Sequence, residues 1–409
     1  MKIMILAGGN DQAALIQELR IKFKEVEVIL IDFAPNVVAA KYADKHIIES
    51  TMDLHKVKEI AIQEKVDYIM TACGDQPLLT MAVVSEELGL PCYLNKRQVL
   101  NLTNKKYMKE LMIKSGIPTS KFITFTSKDE LDTTGLTYPL IVKPVDSNGS
   151  KGVRKVLNAN ELKQYAKDAF RFTLTDTIIV EEFNEGVEVS ADFYISEGKV
   201  TKVMWCQLNK YKVNESIQVI YQSVINPNIS EKASETLMDV ARKISVAYEV
   251  NNSPLLIQAI INGDDVRVIE FSARLGGGAK YKTIQNVTGF NVLRANLESM
   301  LGEHPNVVIN NDDKYYSRCH IYLTGGKFCS IEGLDELISE DVIKEYIQTR
   351  PFGVDVNAPS SSSDRVASIF IEADSHEALE NKVLTAIRRI KVKNENNEDI
   401  MNRFVYNIL

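Results

Sequence analysis

Val268-Ile269-Glu270-Phe271-Ser272-Ala273-Arg274-Leu275-Gly276-Gly277-Gly278 begins on β-branched residues and runs into three glycines. The β-branched start predicts a strand, and the glycines end it. Glu270 and Arg274 then stand where a strand stops, so both can face one pocket. A carboxylate and a guanidinium beside close-approaching backbone suit a metal-phosphate site. They equally suit an ordinary ion pair ahead of a glycine turn. The stretch leaves both readings open, and the rest of the chain has to choose.

At 409 residues the chain has room for two or three domains. Its 45% hydrophobic and 25% charged residues are those of an ordinary soluble protein. A net charge of −7 argues against a nucleic-acid surface as the main partner. Cys73, Cys92, Cys206, Cys319 and Cys329 are odd in number and form no CxxC pair, which points away from a disulfide framework and a thiolate zinc site. No apolar run reaches 18 residues and no secretory signal pattern opens the chain, so the expectation is a cytoplasmic protein with no membrane partner.

Upstream, residues 1–95 alternate strand and helix, which predicts a parallel α/β sheet. Gly8-Gly9 follows the first strand and Asp32 ends the second. A nicotinamide dinucleotide fold would use such residues, but the GxGxxG fingerprint is missing, and a tight strand-to-helix turn is the favoured reading. Residues 104–114 read as a lysine-rich helix, taken alone a solvated face, closed by Ser115-Gly116-Ile117-Pro118. Tyr138-Pro139-Leu140-Ile141-Val142-Lys143-Pro144 is an apolar strand with one lysine, costly unless the ammonium meets an anion. The loop Asp146-Ser147-Asn148-Gly149-Ser150-Lys151-Gly152 offers backbone N–H groups and hydroxyls, as a phosphate cradle does, but is not a Walker loop. Glu181-Glu182-Phe183 ends a further strand, with Glu188 close behind. Gln258 and Glu270 lie on neighbouring strands joined through a turn at Gly263. Residues 302–409 read as a separate α+β segment with no catalytic cluster, a lid or dimer-facing domain. Arg318 and His320 within it suit carboxylate recognition, although a surface position is the favoured reading.

In order and spacing these pieces resemble the ATP-grasp superfamily of carboxylate–amine ligases, in particular its L-amino-acid ligase-like branch, related to biotin carboxylase and carbamoyl-phosphate synthetase. The resemblance covers nearly the whole chain. It implies an N-terminal parallel α/β domain at 1–95, a two-lobed ATP-grasp domain at 96–301 and a smaller α+β C-terminal domain at 302–409. It also implies ATP and Mg²⁺ (or Mn²⁺), small-molecule carboxylate and amine substrates, and leaves a homodimer open.

Residue by residue, the resemblance implies that Lys105 and Lys143 reach the ATP phosphates. Ser147, Gly149, Ser150 and Gly152 form the flap over them. Glu181, Glu182 and Phe183 make the adenine linker, and Glu188 holds the ribose. Glu270 and Gln258 are the implied metal ligands, with Ser272 standing where relatives usually carry Asn. Gln258 stands where many carry an acid. Arg274 steadies the acyl phosphate, and the N–H groups of Gly276 and Gly277 face the developing oxyanion. A bicarbonate-activating enzyme and a non-catalytic nucleotide-binding relative are the alternatives; Gln258 and Ser272, as a weakened metal set, are what favours the latter.

Overall fold

The computed structural model describes residues 1–147, 152–214, 217–310 and 312–407. The N-terminal alternation folds as the pattern dictates. β1 (Lys2–Leu6), β2 (Glu27–Asp32), β3 (Lys45–Ile48) and β4 (Tyr68–Met70) form a parallel sheet in the order β3-β2-β1-β4. α1 (Asn10–Lys22), α2 (Leu54–Glu64) and α3 (Asp75–Leu88) accompany it. Ile3, Met4, Ile5 and Leu6 are fully buried, as a central parallel strand requires. After β1 the turn is internal. Asp32 accepts the Gly8 N–H at 2.8 Å and the Ala34 N–H at 2.8 Å. A Cβ on Gly8 would stand 2.3 Å from Val37 Cγ2, so glycine here serves close packing.

α4 (Lys96–Thr103) opens on an Asn95–Gln98 capping box, and α5 (Lys105–Lys114) is capped by Asn104. Next comes a small antiparallel lobe. β5 (Phe122–Thr126), β6 (Leu140–Pro144), β7 (Arg154–Val156) and β8 (Thr177–Glu182) pair in the order β5-β8-β6-β7, with α6 (Ala159–Phe170) packed on them. The lobe has its own core around Leu140, Val142, Leu162, Ile178 and Val180.

β9 (Val187–Ser196), β10 (Lys199–Asn214), β11 (Ile217–Ile225), α7 (Glu231–Ala247), β12 (Ser253–Asn262) and β13 (Asp265–Ser272) build the second lobe, followed by α8 (Lys280–Thr288) and α9 (Val292–Met300). The last segment adds β14 (Tyr315–Ile321), β15 (Gly326–Lys327), β16 (Ser330–Glu332), α10 (Leu334–Ser339), β17 (Glu345–Gln348), β18 (Asp355–Val356), β19 (Ala367–Ala373), α11 (His376–Arg389) and β20 (Lys391–Lys393). An eight-stranded sheet runs β13-β12-β9-β10-β11-β14-β19-β17. Residues 302–409 thus have a core of their own around Ile321, Phe328 and Ile369, yet their strands extend the second lobe's sheet through the β11–β14 pairing. No helix among the described residues is long and apolar enough to cross a membrane.

One glycine permits a close backbone approach where the chain enters the large sheet. Gly186, between β8 and β9, has φ +142, and a Cβ there would stand 2.4 Å from the Ile261 carbonyl oxygen. Gly186→Ala is expected to cost about 1–3 kcal/mol or more, because both the dihedral and the backbone contact resist it. A thermal melt reads this; an unchanged midpoint would contradict the close approach.

Candidate active site

The β12–β13 hairpin sets Gln258 opposite Glu270 in register, with an irregularity immediately after Gln258. Alternation along the strands brings Glu270, Ser272 and Arg274 to the same cleft as Gln258 and Leu256. The Glu270 side chain is 39% exposed, and its nearest cation is Lys105, with Nζ 3.8 Å from Oε2. Among the described residues no group of three His, Cys, Asp or Glu side chains gathers as a metal cage. A carboxylate open to the cleft beside an amide oxygen fits magnesium. That ion takes one or two protein ligands and completes its shell with water and phosphate.

Arg274 is held by a residue that the sequence reading passes over. Asp75 sits in the first turn of α3, 199 residues away, and takes Arg274 bidentately: Nε to Oδ1 at 2.8 Å and Nη2 to Oδ2 at 2.8 Å. Ser272 Oγ donates to the same Oδ1 at 2.8 Å, so this hydroxyl is engaged in holding the pair. Arg274 Nη1 donates to the Leu275 carbonyl at 2.8 Å. Burial alone would raise the Asp75 pKa, but the Arg274 guanidinium outweighs it and the carboxyl is held below its ordinary value. Two backbone ties fix the surroundings. Cys73 bridges Leu275 in parallel, and the Tyr93 hydroxyl donates to the Ala273 carbonyl at 2.9 Å. The only local hint of Asp75 was an acid after a glycine at a helix start.

On the other side, Lys105 Nζ donates to the Ser147 carbonyl at 2.7 Å. Lys143 meets an anion, as its apolar strand demands, and that anion is Glu181. Glu181 also takes Lys109, with Nζ 2.8 Å from Oε2. Lys109 Nζ donates further to Thr119 Oγ1 at 2.6 Å. Both Lys109 and Lys105 are buried, one turn apart on α5. The lysine-rich helix is therefore not simply a solvated face. Burial would push the Glu181 carboxyl up, but Lys109 and Lys143 together bring it down to about 2.

The other predicted nucleotide residues Glu182, Phe183 and Glu188 line neither this cleft nor the cavity beside it and have partners of their own. Glu182 accepts the Thr137 N–H at 3.0 Å, and the Phe183 N–H donates to the Pro139 carbonyl at 3.0 Å. Lys155 Nζ lies 3.6 Å over the Phe183 ring. Glu188 pairs with Lys210. Ser147 and Gly152 flank the serine-glycine loop, while Gly149 and Ser150 lie outside the described residues. Gly152 has φ +71.

A second cavity, with about 650 Å³ of open space, shares Leu256 and Gln258 with the first cleft. Gly276, Gly277 and Gly278 line it. Lys280, which the sequence reading did not single out, reaches into it. Its Nζ donates to Ser190 Oγ at 2.6 Å and lies 2.5 Å from Asp192 Oδ2. Arg318 and His320 correct the surface reading: both are 4% exposed and line this cavity. They lie on β14, which joins the large sheet and so turns inward. Burial, then Arg365 and Arg318, push the His320 pKa well below its ordinary value, leaving it neutral.

Residues 136–282 match the sequence model of the ATP-grasp domain. The chain is 24% identical over 352 residues to a phosphoribosylamine–glycine ligase of Fusobacterium nucleatum subsp. nucleatum, covering 80% of this chain and 79% of that protein. Its fold superposes on an L-amino acid ligase from Bacillus licheniformis with a TM-score of 0.78 at 19% identity, covering 97% of this chain and 99% of the other. It also superposes on the biotin carboxylase domain of the Hydrogenobacter thermophilus 2-oxoglutarate carboxylase, a complex with MgADP, at a TM-score of 0.75 and 14% identity, covering 96% and 90%. The matched residues 136–282 run from β6 of the small lobe to β13 of the large sheet, and so include Gln258, Glu270 and Arg274 of the cleft. The match to the ATP-grasp domain is confined to residues 136–282, and the relatives that span more of the chain are named phosphoribosylamine–glycine ligases.

Proposed function

We propose that the protein joins a carboxylate to an amine through an acyl phosphate, releasing ADP and phosphate, with an amino acid among its substrates. The observation that carries this reading is the shared wall. Leu256 and Gln258 border both the cleft holding Lys105, Glu270 and Arg274 and the cavity holding the three glycines. An ATP γ-phosphate in the first and a carboxylate at the mouth of the second would meet there. A carboxylate oxygen attacks phosphorus and the bond to ADP breaks. The amine lone pair then attacks the acyl carbon, phosphate leaves with the former carboxylate oxygen, and the amine loses a proton.

Both reactants are anions, so their approach has to be compensated. Lys105 and Lys143 supply cations toward the phosphates, and residues 147–152 the flap over them. Glu181, Glu182 and Phe183 border the base, with Glu181 acting through Lys143, and Glu188 takes the ribose. Glu270 and Gln258 would hold magnesium, with Ser272 beside them as a third oxygen whose proton is already given to Asp75; the ion would supply charge screening when bound. Arg274 spends three of its five N–H donors on Asp75 and Leu275. The rest face the acyl phosphate, and the Gly276 and Gly277 amides the oxyanion. In this reading residues 96–301 grip ATP, 1–95 bring Asp75 to the first cleft, and 302–409 bring Arg318, His320 and Arg365 to the second cavity.

A phosphate-release assay over pairs of carboxylates and amines, bicarbonate included, with mass spectrometry of products, tests this. Amide product with stoichiometric ADP supports the reading. Turnover with bicarbonate alone would replace it, and silence across amino acids would favour a non-catalytic relative. Chelation should abolish activity and Mg²⁺ or Mn²⁺ restore it. Glu270→Gln should raise the Mg²⁺ requirement by about 10–100-fold, read from a metal titration of phosphate release. An unshifted titration would remove Glu270 as ligand.

A further inference from the structure

Arg365 lies just before β19 and lines the second cavity. Its guanidinium packs against the α-carbon of Gly278, where a Cβ would stand 2.3 Å from Nη2 and 2.8 Å from Cζ. Gly278, at φ +77, thus leaves the space the arginine fills. The neighbouring cation, Arg318, donates to the Ala279 carbonyl at 2.7 Å, and its Nη2 lies 3.6 Å from Glu345. Arg318 Nε is buried without a partner. Among the described residues the Arg365 guanidinium has no hydrogen bond or ion pair. Lys280, by contrast, is matched by Asp192. The groups facing this end are therefore two guanidiniums, a neutral His320, the Glu345 carboxylate, and Asp11, buried against the Ala279 N–H at 3.0 Å. Elsewhere Met204, Leu208, Ile220 and Ile225 give the wall an apolar stretch, beside the hydroxyls of Ser190, Ser223 and Thr283.

We propose that Arg365 anchors the free carboxylate of an apolar α-amino acid, which is the amine substrate. Its side chain lies on Met204, Leu208 and Ile225, and its amino group is directed toward the wall at Gln258. This rests on the ligase reading above and adds the class of nucleophile. An anion at this end gains a charged partner, and the apolar stretch favours a hydrocarbon side chain beside it.

Calorimetric titration of the full chain with L-leucine, L-leucinol and inorganic phosphate tests it, on the wild type, Arg365→Gln and Gly278→Ala. The second variant displaces the same guanidinium from the glycine side. L-leucine should bind the wild type and bind both variants tenfold or more weakly. L-leucinol, which keeps the amine and lacks the carboxylate, should bind the wild type tenfold or more weakly than L-leucine and ignore the Arg365 change. ADP affinity should stay the same in Arg365→Gln, which also reports that it folds. Equal binding of leucine and leucinol, wild-type leucine affinity in Arg365→Gln, or no leucine binding to the wild type would overturn the proposal. Arg365-dependent phosphate binding tighter than leucine would overturn it too, in favour of a phosphorylated substrate. The two readings fail separately. Arg365-dependent leucine binding without any amide product sinks the ligase and keeps the anchor. ADP release with other amines but no leucine binding does the reverse.

Discussion

Arg274→Lys is expected to bind ATP as the wild type does and to release phosphate roughly 10²–10³-fold more slowly. The substitution keeps a positive charge in a buried position and removes the planar fork. Lysine cannot hold Asp75 bidentately and still present N–H groups to a transferring phosphate. Asp75→Asn tests the other half of the pair. It preserves shape but gives up the charge that fixes Arg274, so turnover should fall about tenfold or more with ATP affinity unchanged. If Asp75 acts only through Arg274, the double variant should be no slower than Arg274→Lys alone, whereas independent residues would multiply. Phosphate release at saturating ATP, with nucleotide affinity measured separately, reads all three. Full turnover in Arg274→Lys would sink the role given to Arg274.

The second large effect is on stability. Glu181 stands between Lys109 and Lys143, and all three are buried. Glu181→Leu leaves two buried ammonium groups without their anion, and is expected to destabilise by about 3–5 kcal/mol. Denaturant unfolding at neutral pH reads the loss, and one below about 1 kcal/mol would contradict the assignment. The acid limb gives an independent check. The Glu181 carboxyl is held at about 2, below its ordinary 4.5. Its contribution is therefore complete above pH 4.5 and is lost as pH falls through 2. Between those values wild-type stability should drop as pH falls. Glu181→Gln should show a shallower drop in that window, having no carboxyl there to protonate.

Much of the fold was legible because it rests on local periodicity. The parallel N-terminal sheet follows from apolar runs alternating with helical ones, and the Gln258–Glu270 facing follows from a hairpin closed at Gly263. Asp75, Lys109 and Arg365 were not legible, for a common reason: each acquires its role from a partner far along the chain. Asp75 meets Arg274 199 residues on, Lys109 meets Glu181 72 residues on, and Arg365 packs on Gly278 87 residues back. Lys109 even misleads, since a helix rich in lysine reads as solvated when two of those lysines face inward. Arg318 and His320 misled in the same way, because nothing local says that β14 joins the large sheet. The triple glycine shows both sides. Its presence marked a close approach, but only the packing reveals that Lys280 crowds Gly276 and Arg365 crowds Gly278.

The central claim is that a carboxylate oxygen takes the γ-phosphate of ATP before the amine arrives. Carboxylate substrates labelled with ¹⁸O in both oxygens, turned over with ATP and amine and followed by mass spectrometry of the released phosphate, test it directly. An acyl phosphate predicts one ¹⁸O in each phosphate and one left in the amide. Phosphate without label beside an amide product, or release of AMP and pyrophosphate in place of ADP, would contradict it.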